Sequence, residues 1–163
     1  MPRIKFVLAT VLSFMAFMPV AAQDYQKGYD AYNAGDYATV LQEWRPLAEQ
    51  GNAAAQFNLG LMYYNGKGVP QDYAEAFKWW RLAAEQRDAI AQSNLGSLYE
   101  YGQGVLQDNV MAHMWYNLAA ANGNEKSGEW RDEIANKMTP DAIGKAQAMA
   151  RECMSSGYTK CGD

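Results

Sequence analysis

Residues Ala55 to Asp72 read A-Q-F-N-L-G-L-M-Y-Y-N-G-K-G-V-P-Q-D, and Ala91 to Asp108 read A-Q-S-N-L-G-S-L-Y-E-Y-G-Q-G-V-L-Q-D. Extended outward, the match lays Asn52 to Arg87 over Asp88 to Gly123 without a gap and keeps 17 of 36 positions identical. Average residue usage gives only about two or three such identities by chance. A period of this length marks a stacked array of helical hairpins, because one hairpin alone cannot bury its apolar side. The expected fold is therefore all-α, an α-solenoid of antiparallel helix pairs.

The spacing inside each unit supports this. Ala55, Leu59, Met62 and Tyr63 form one helical stripe that returns as Ala91, Leu95, Leu98 and Tyr99. Gly60 and Gly96 stand where a backbone or a bulky ring must come near. Gly66 with Gly68, and Gly102 with Gly104, end the helix and turn the chain back. Asp36, Asp72 and Asp108, one period apart, each suit the N-cap of the next helix, and Glu75 three residues after Asp72 predicts a capping box there. The second helix carries Trp44, Trp80 and Tyr116 in one column and Ala48, Ala84 and Ala120 in another, a large and a small group on one face that let a neighbour dock. Gly51 and Gly123 close two of these helices, whereas Arg87 holds the middle position, so that turn either needs no glycine or carries strain.

Outside the two clear repeats the pattern weakens. Tyr25, Gly28, Tyr29 and Tyr32 recur at helical intervals before Gly35, which reads as the inner helix of a damaged first repeat spanning 24–51. Asn124 to Met138 is expected to be helical with other spacing. Thr139-Pro140-Asp141 then starts a last helix, Pro140 to about Met154, with a cap followed by proline at the first position. These two helices are expected to cap the open end of the stack over 124–163.

The length of 163 residues suits one domain. Arg3 and Lys5 precede an apolar run from Phe6 to Met18 broken only by Thr10 and Ser13, and Val20, Ala21 and Ala22 follow. This predicts a secretory signal peptide, residues 1–22, cleaved before Gln23. A membrane anchor is disfavoured because the run falls short of the roughly 20 residues a spanning helix needs. Without two of its 14 basic residues, the mature chain sets 12 against 18 acids, net −6, which argues against nucleic acid or an anionic membrane surface as partner. Cys153 and Cys161, the only cysteines, are expected to pair as a disulfide in an oxidising compartment, periplasmic or extracellular. A redox dithiol normally uses a C-x-x-C spacing, which is absent.

The motif A-x-x-N-L-G-x-x-Y-x-x-G-x-G-V-x-Q-D, followed by A-x-x-W-[WY]-x-L-A-A at Ala76 to Ala84 and Ala112 to Ala120, resembles the Sel-one-like repeat family, a relative of the tetratricopeptide repeats. The ending around Met138-Thr139-Pro140 and Cys153 to Cys161 is similar to that of exported bacterial members. The resemblance implies a right-handed superhelix whose concave side binds other proteins. Such members typically serve as adaptors in signalling or envelope assembly. Because the motif residues are scaffold residues, it implies no catalytic set.

The residues themselves offer little chemistry. His113 is the only histidine, and Phe77 and Leu41 take its place in earlier repeats, so a structural role is expected and neither a metal site nor a Cys/His pair has enough partners. Gly66-Lys67-Gly68 follows a helix and lacks the rest of a phosphate loop. Glu129 and Glu133 lie one turn apart and are open to a glycosidase reading, but a solvated acidic face explains them too. No serine precedes a lysine by three residues, which removes the S-x-x-K arrangement. No cofactor, metal or catalytic residue is expected.

Recognition therefore falls to residues of the first helix off its core stripe: Asn58, Leu61, Tyr64 and Asn65 in one copy, Asn94, Ser97, Glu100 and Tyr101 in the other. Aromatics and amides with few charges suit a peptide groove. Leu61 and Tyr64 are equally open to packing on adjacent helices. The alternative is an envelope carbohydrate binder or weak envelope hydrolase, with Trp79, Trp115 and Trp130 lying bare as sugar platforms; buried rings favour the peptide.

Overall fold

The computed structural model describes residues 24–162, so the expected leader lies outside the described residues. Among them, each helix begins at a side chain that accepts hydrogen bonds from the first free backbone N–H groups, a cap that contributes about 1 kcal/mol. Asp24 starts α1 (Tyr25–Ala34), Asp36 starts α2 (Tyr37–Glu49) and Asn52 starts α3 (Ala53–Asn65). Asp72, Asp88 and Asp108 start α4 (Tyr73–Glu85), α5 (Ala89–Tyr101) and α6 (Asn109–Ala121). Asn124 starts α7 (Glu125–Ala135), and Thr139 starts α8 (Pro140–Ser155) with proline at its first position. No strand occurs among the described residues.

The expected capping box at Asp72 does not form. Glu75 pairs with Lys78 instead of reaching back to the Asp72 backbone. The reason is that the Asp72 N–H is already engaged, donating to Tyr63 O at 2.9 Å, as Asp108 N donates to Tyr99 O at 3.0 Å. The glutamine before each aspartate completes the staple. Gln71 Nε2 donates to Tyr64 O and Gln107 Nε2 to Glu100 O, both at 2.8 Å, so the V-x-Q-D ending closes the carbonyl end of one helix while capping the next.

Within a hairpin, a glycine on the first helix admits a ring from the second. A Cβ added at Gly60 would lie 2.3 Å from the Trp80 indole, and one at Gly96 would lie 2.6 Å from the Tyr116 ring. The closeness lets Trp80 Nε1 donate to Phe57 O at 3.1 Å. Gly28 and Trp44 repeat the arrangement, with Trp44 Nε1 donating to Tyr25 O at 3.1 Å. The segment read as a damaged repeat is thus a full helix pair. Its glycine and ring are 16 residues apart instead of 20, because the α1–α2 turn is five residues shorter while α1 runs one residue further past its glycine.

The first helices of the hairpins line up as one layer. Asn58 on α3 donates to the Tyr25 hydroxyl on α1 at 2.7 Å, and Ser127 on α7 donates to Ser93 on α5 at 2.9 Å. The second layer, α2, α4 and α6, fills the core with Trp44, Trp80, Trp115 and the small residues Ala48, Ala83 and Ala84. Buried amides bridge successive hairpins: Gln56 and Gln92 donate to Ala48 O and Ala84 O, and accept from Gln86 and Asn122.

The last two helices cover α6 on different faces. Ile134 and Trp130 of α7 pack on Ala112 and Tyr116. Ala150 and Cys153 of α8, with Tyr158 and Cys161, join the cluster containing Met111, Met114, Trp115 and Leu118. The Cys153–Cys161 disulfide ties the tail, and Asn122 Nδ2 donates to the Tyr158 hydroxyl at 2.9 Å. Arg87 resolves the question its sequence posed. It sits at φ 69°, where a side chain costs about 1–2 kcal/mol, and its guanidinium lies 5.0 Å from the centre of the Tyr158 ring.

Candidate functional site

Two adjoining clefts open on the α3–α5–α7 layer. The first, of about 230 Å³, is lined by Leu61, Tyr64 and Asn65 of α3, Trp80 of α4, and Asn94 and Ser97 of α5. The second, of about 360 Å³, runs between α5 and α7 and is lined by Ile90, Ser93, Asn94, Ser97, Glu100 and Tyr101 on one side, and Asn124, Trp130 and Glu133 on the other, with Tyr116 also in contact. Asn94 and Ser97 belong to both, which makes them one groove.

Seven of the eight sequence-selected residues therefore converge: Leu61, Tyr64, Asn65, Asn94, Ser97, Glu100 and Tyr101. Asn58 lines neither cleft, since its amide is committed to Tyr25. Leu61 and Tyr64 both pack on core and line the groove. Tyr64 lies 5.2 Å from the Trp80 ring and 5.1 Å from Tyr73, and its hydroxyl reaches Gln103 Oε1 at 3.4 Å. Asn65 folds its amide back to Leu61 O at 2.8 Å. Tyr101 is open, with 66% of its surface exposed.

The groove has one neutral half and one acidic half. Glu100 is held by the Tyr116 hydroxyl, which donates at 2.9 Å, and is approached by the exposed ammonium of Lys137 at 3.4 Å. Burial first, and then the hydrogen bond to Glu100, push the Tyr116 phenol far above its usual range, so it stays protonated and keeps donating. Glu133 faces the same cleft from α7. Trp130 and Glu133, which the sequence marked only for the carbohydrate reading, escaped selection as peptide-groove residues because α7 follows no repeat.

The tryptophan rings do not form a bare platform. Trp115 is wholly buried, Trp79 and Trp130 are half-buried, and the Trp130 ring is inclined 48° to Tyr116. Glu129 pairs with Lys126 on the exposed face of α7. His113 is buried with Nδ1 unpartnered; burial chiefly, and Arg131 next, hold its pKa below the ordinary histidine value. Among the described residues, no three His, Cys, Asp or Glu side chains gather as a metal site, and no helix is long and apolar enough to cross a membrane.

Comparison with known proteins follows the same lines. The family described as Sel1 repeat matches residues 53–88 and 89–124, two consecutive units that coincide with the α3–α4 and α5–α6 hairpins. A Sel1 repeat protein from Oxalobacter formigenes is 32% identical over 68% of this chain and 98% of its own, with a TM-score of 0.56. The structure of c5321, described as a protective antigen present in uropathogenic Escherichia coli strains displaying an SLR fold, is 31% identical over 80% of this chain, with a TM-score of 0.74. This chain spans 30% of the length of that protein. No curated protein matches the chain.

Proposed function

Because the chain belongs to the Sel1 repeat family, whose members are in general protein-interaction scaffolds and typically non-catalytic, we propose that it is a non-catalytic adaptor of the bacterial envelope, holding a protein or peptide segment along the α3–α5–α7 groove. One observation carries this reading. The scaffold positions repeat almost unchanged, while the groove positions differ between copies: Leu61 against Ser97, Tyr64 against Glu100 and Asn65 against Tyr101. A purely structural face repeated at the same register has no physical need for that difference.

Export to the periplasm or beyond is supported by the leader-like segment, residues 1–22, and by the disulfide. The carbohydrate reading loses its supporting feature, since Trp115 is buried, Trp79 and Trp130 are half-buried, and the Trp130 ring is inclined to Tyr116. The test is capture from envelope extract by the purified protein and by an Asn94→Ala/Tyr101→Ala variant, which leaves Asn58 and its bond to Tyr25 intact. The variant is expected to lose specific proteins that the wild type retains. Recovery of the same proteins by both forms would place recognition elsewhere.

A further inference from the structure

Resting on the scaffold reading above, we propose that the groove takes an extended peptide that places an arginine or lysine side chain between α5 and α7 and an apolar side chain two or three residues away in the α3–α5 cleft. The two clefts differ in chemistry and share a saddle. The α3–α5 cleft presents Leu61, Tyr64 and Trp80 and no charged side chain. Across the saddle, the α5–α7 cleft presents two carboxylates from opposite walls, Glu100 and Glu133.

The acidic half is shaped for a long cation and not for a bare ion. Glu100 is fixed by the Tyr116 hydroxyl at 2.9 Å, so its second oxygen keeps its direction. That oxygen meets only Lys137, at 3.4 Å, whose side chain is 62% exposed and free to yield the place. No lysine or arginine among the described residues pairs with Glu133. Around the carboxylates, Tyr101 and Trp130 offer ring faces and Ile90, 56% exposed, an aliphatic wall. A guanidinium stacks on such rings while its stem lies on apolar surface and its fork meets a carboxylate.

The spacing follows from the scaffold. Neighbouring packed helices stand about 8–10 Å apart. A β-extended chain puts side chains two positions apart on one face about 7 Å from each other, and a polyproline-II chain puts those three positions apart on one face about 9 Å from each other, so either spacing reaches adjacent clefts. Asn94 and Ser97, common to both clefts, are placed to bond the intervening peptide backbone. The net negative charge of the chain adds long-range attraction for a cationic segment, which salt screens.

The test selects phage-displayed random octapeptides on the purified protein and, in parallel, on a Glu100→Gln/Glu133→Gln variant. Glutamine at 100 still offers Tyr116 an acceptor, and thermal melting verifies that the variant is folded; Glu133→Gln alone, at an exposed site, serves if it is not. Wild type is expected to enrich Arg or Lys two or three positions from an aliphatic residue. The variant is expected to keep the aliphatic preference and lose the cationic one. A synthetic winner should bind the variant about ten-fold more weakly, and wild type equally weakly once its arginine is replaced by citrulline. Peptides retained through Asn94 and Tyr101 without cationic enrichment, or with the same enrichment on the variant, would overturn this inference and leave the scaffold reading standing. Retention of no peptide by wild type would remove both.

Discussion

Replacing Gly60 with alanine tests the closest packing in the repeat. Its Cβ would stand 2.3 Å from Cδ1 and Nε1 of Trp80, where ordinary contact begins at 3.4 Å, so the indole must retreat by about 1 Å. That movement breaks the bond from Trp80 Nε1 to Phe57 O, now 3.1 Å, in a ring only 2% exposed. Overpacking costs about 1–3 kcal/mol. Stranding the buried indole donor adds about 1–3 kcal/mol. Alanine's better helix propensity offsets about 1 kcal/mol, leaving a net loss of about 3 kcal/mol. For a chain of this size the melting midpoint should fall by about 10 °C. Circular dichroism at 222 nm follows the transition, with Gly144→Ala as control, since nothing lies within 4 Å of a Cβ there and α8 should gain stability. In a double-mutant cycle, Trp80→Ala and Gly60→Ala should cost less together than their sum, because the new methyl enters space the ring vacated. A Gly60→Ala midpoint at or above that of wild type would refute the reasoning.

Three further outcomes follow from particular contacts. His113→Phe should flatten the pH dependence of stability: with the folded pKa depressed by burial, the neutral ring's contribution is whole above about pH 6.5 and is lost as pH falls through the lower folded value, which urea unfolding at several pH values measures. Reducing the disulfide, whose cysteines are eight residues apart, should cost roughly 2–3 kcal/mol in urea unfolding with and without reductant and loosen Tyr158 from Arg87 and Asn122. Arg87→Gly should be more stable than Arg87→Ala by about 1 kcal/mol in the same assay, because both lose the Tyr158 contact and only glycine is relaxed at φ 69°.

The repeat itself was plain in the sequence, because glycine–ring pairs and capping aspartates are fixed by local geometry and recur at one spacing. The first hairpin was harder to see: a turn five residues shorter shifts Gly28 out of the gapless register that still holds Trp44. The capping box at Asp72 failed for a reason no local pattern displays, namely that the required N–H had been taken by Tyr63 O. Most groove residues were legible as positions off the core stripe. Asn58 was not separable from them, since its partner Tyr25 comes from another hairpin, and Trp130 and Glu133 lie on a helix with no counterpart to compare.

The most direct measurement of recognition by the repeat-variant face is backbone hydrogen exchange, with and without a selected peptide. Slowed exchange should concentrate in α3 around Leu61 to Asn65, in α5 around Asn94 to Tyr101 and in α7 beside Trp130, with α2 unchanged. Protection confined to α2, α4 or the disulfide-tied tail would contradict the account.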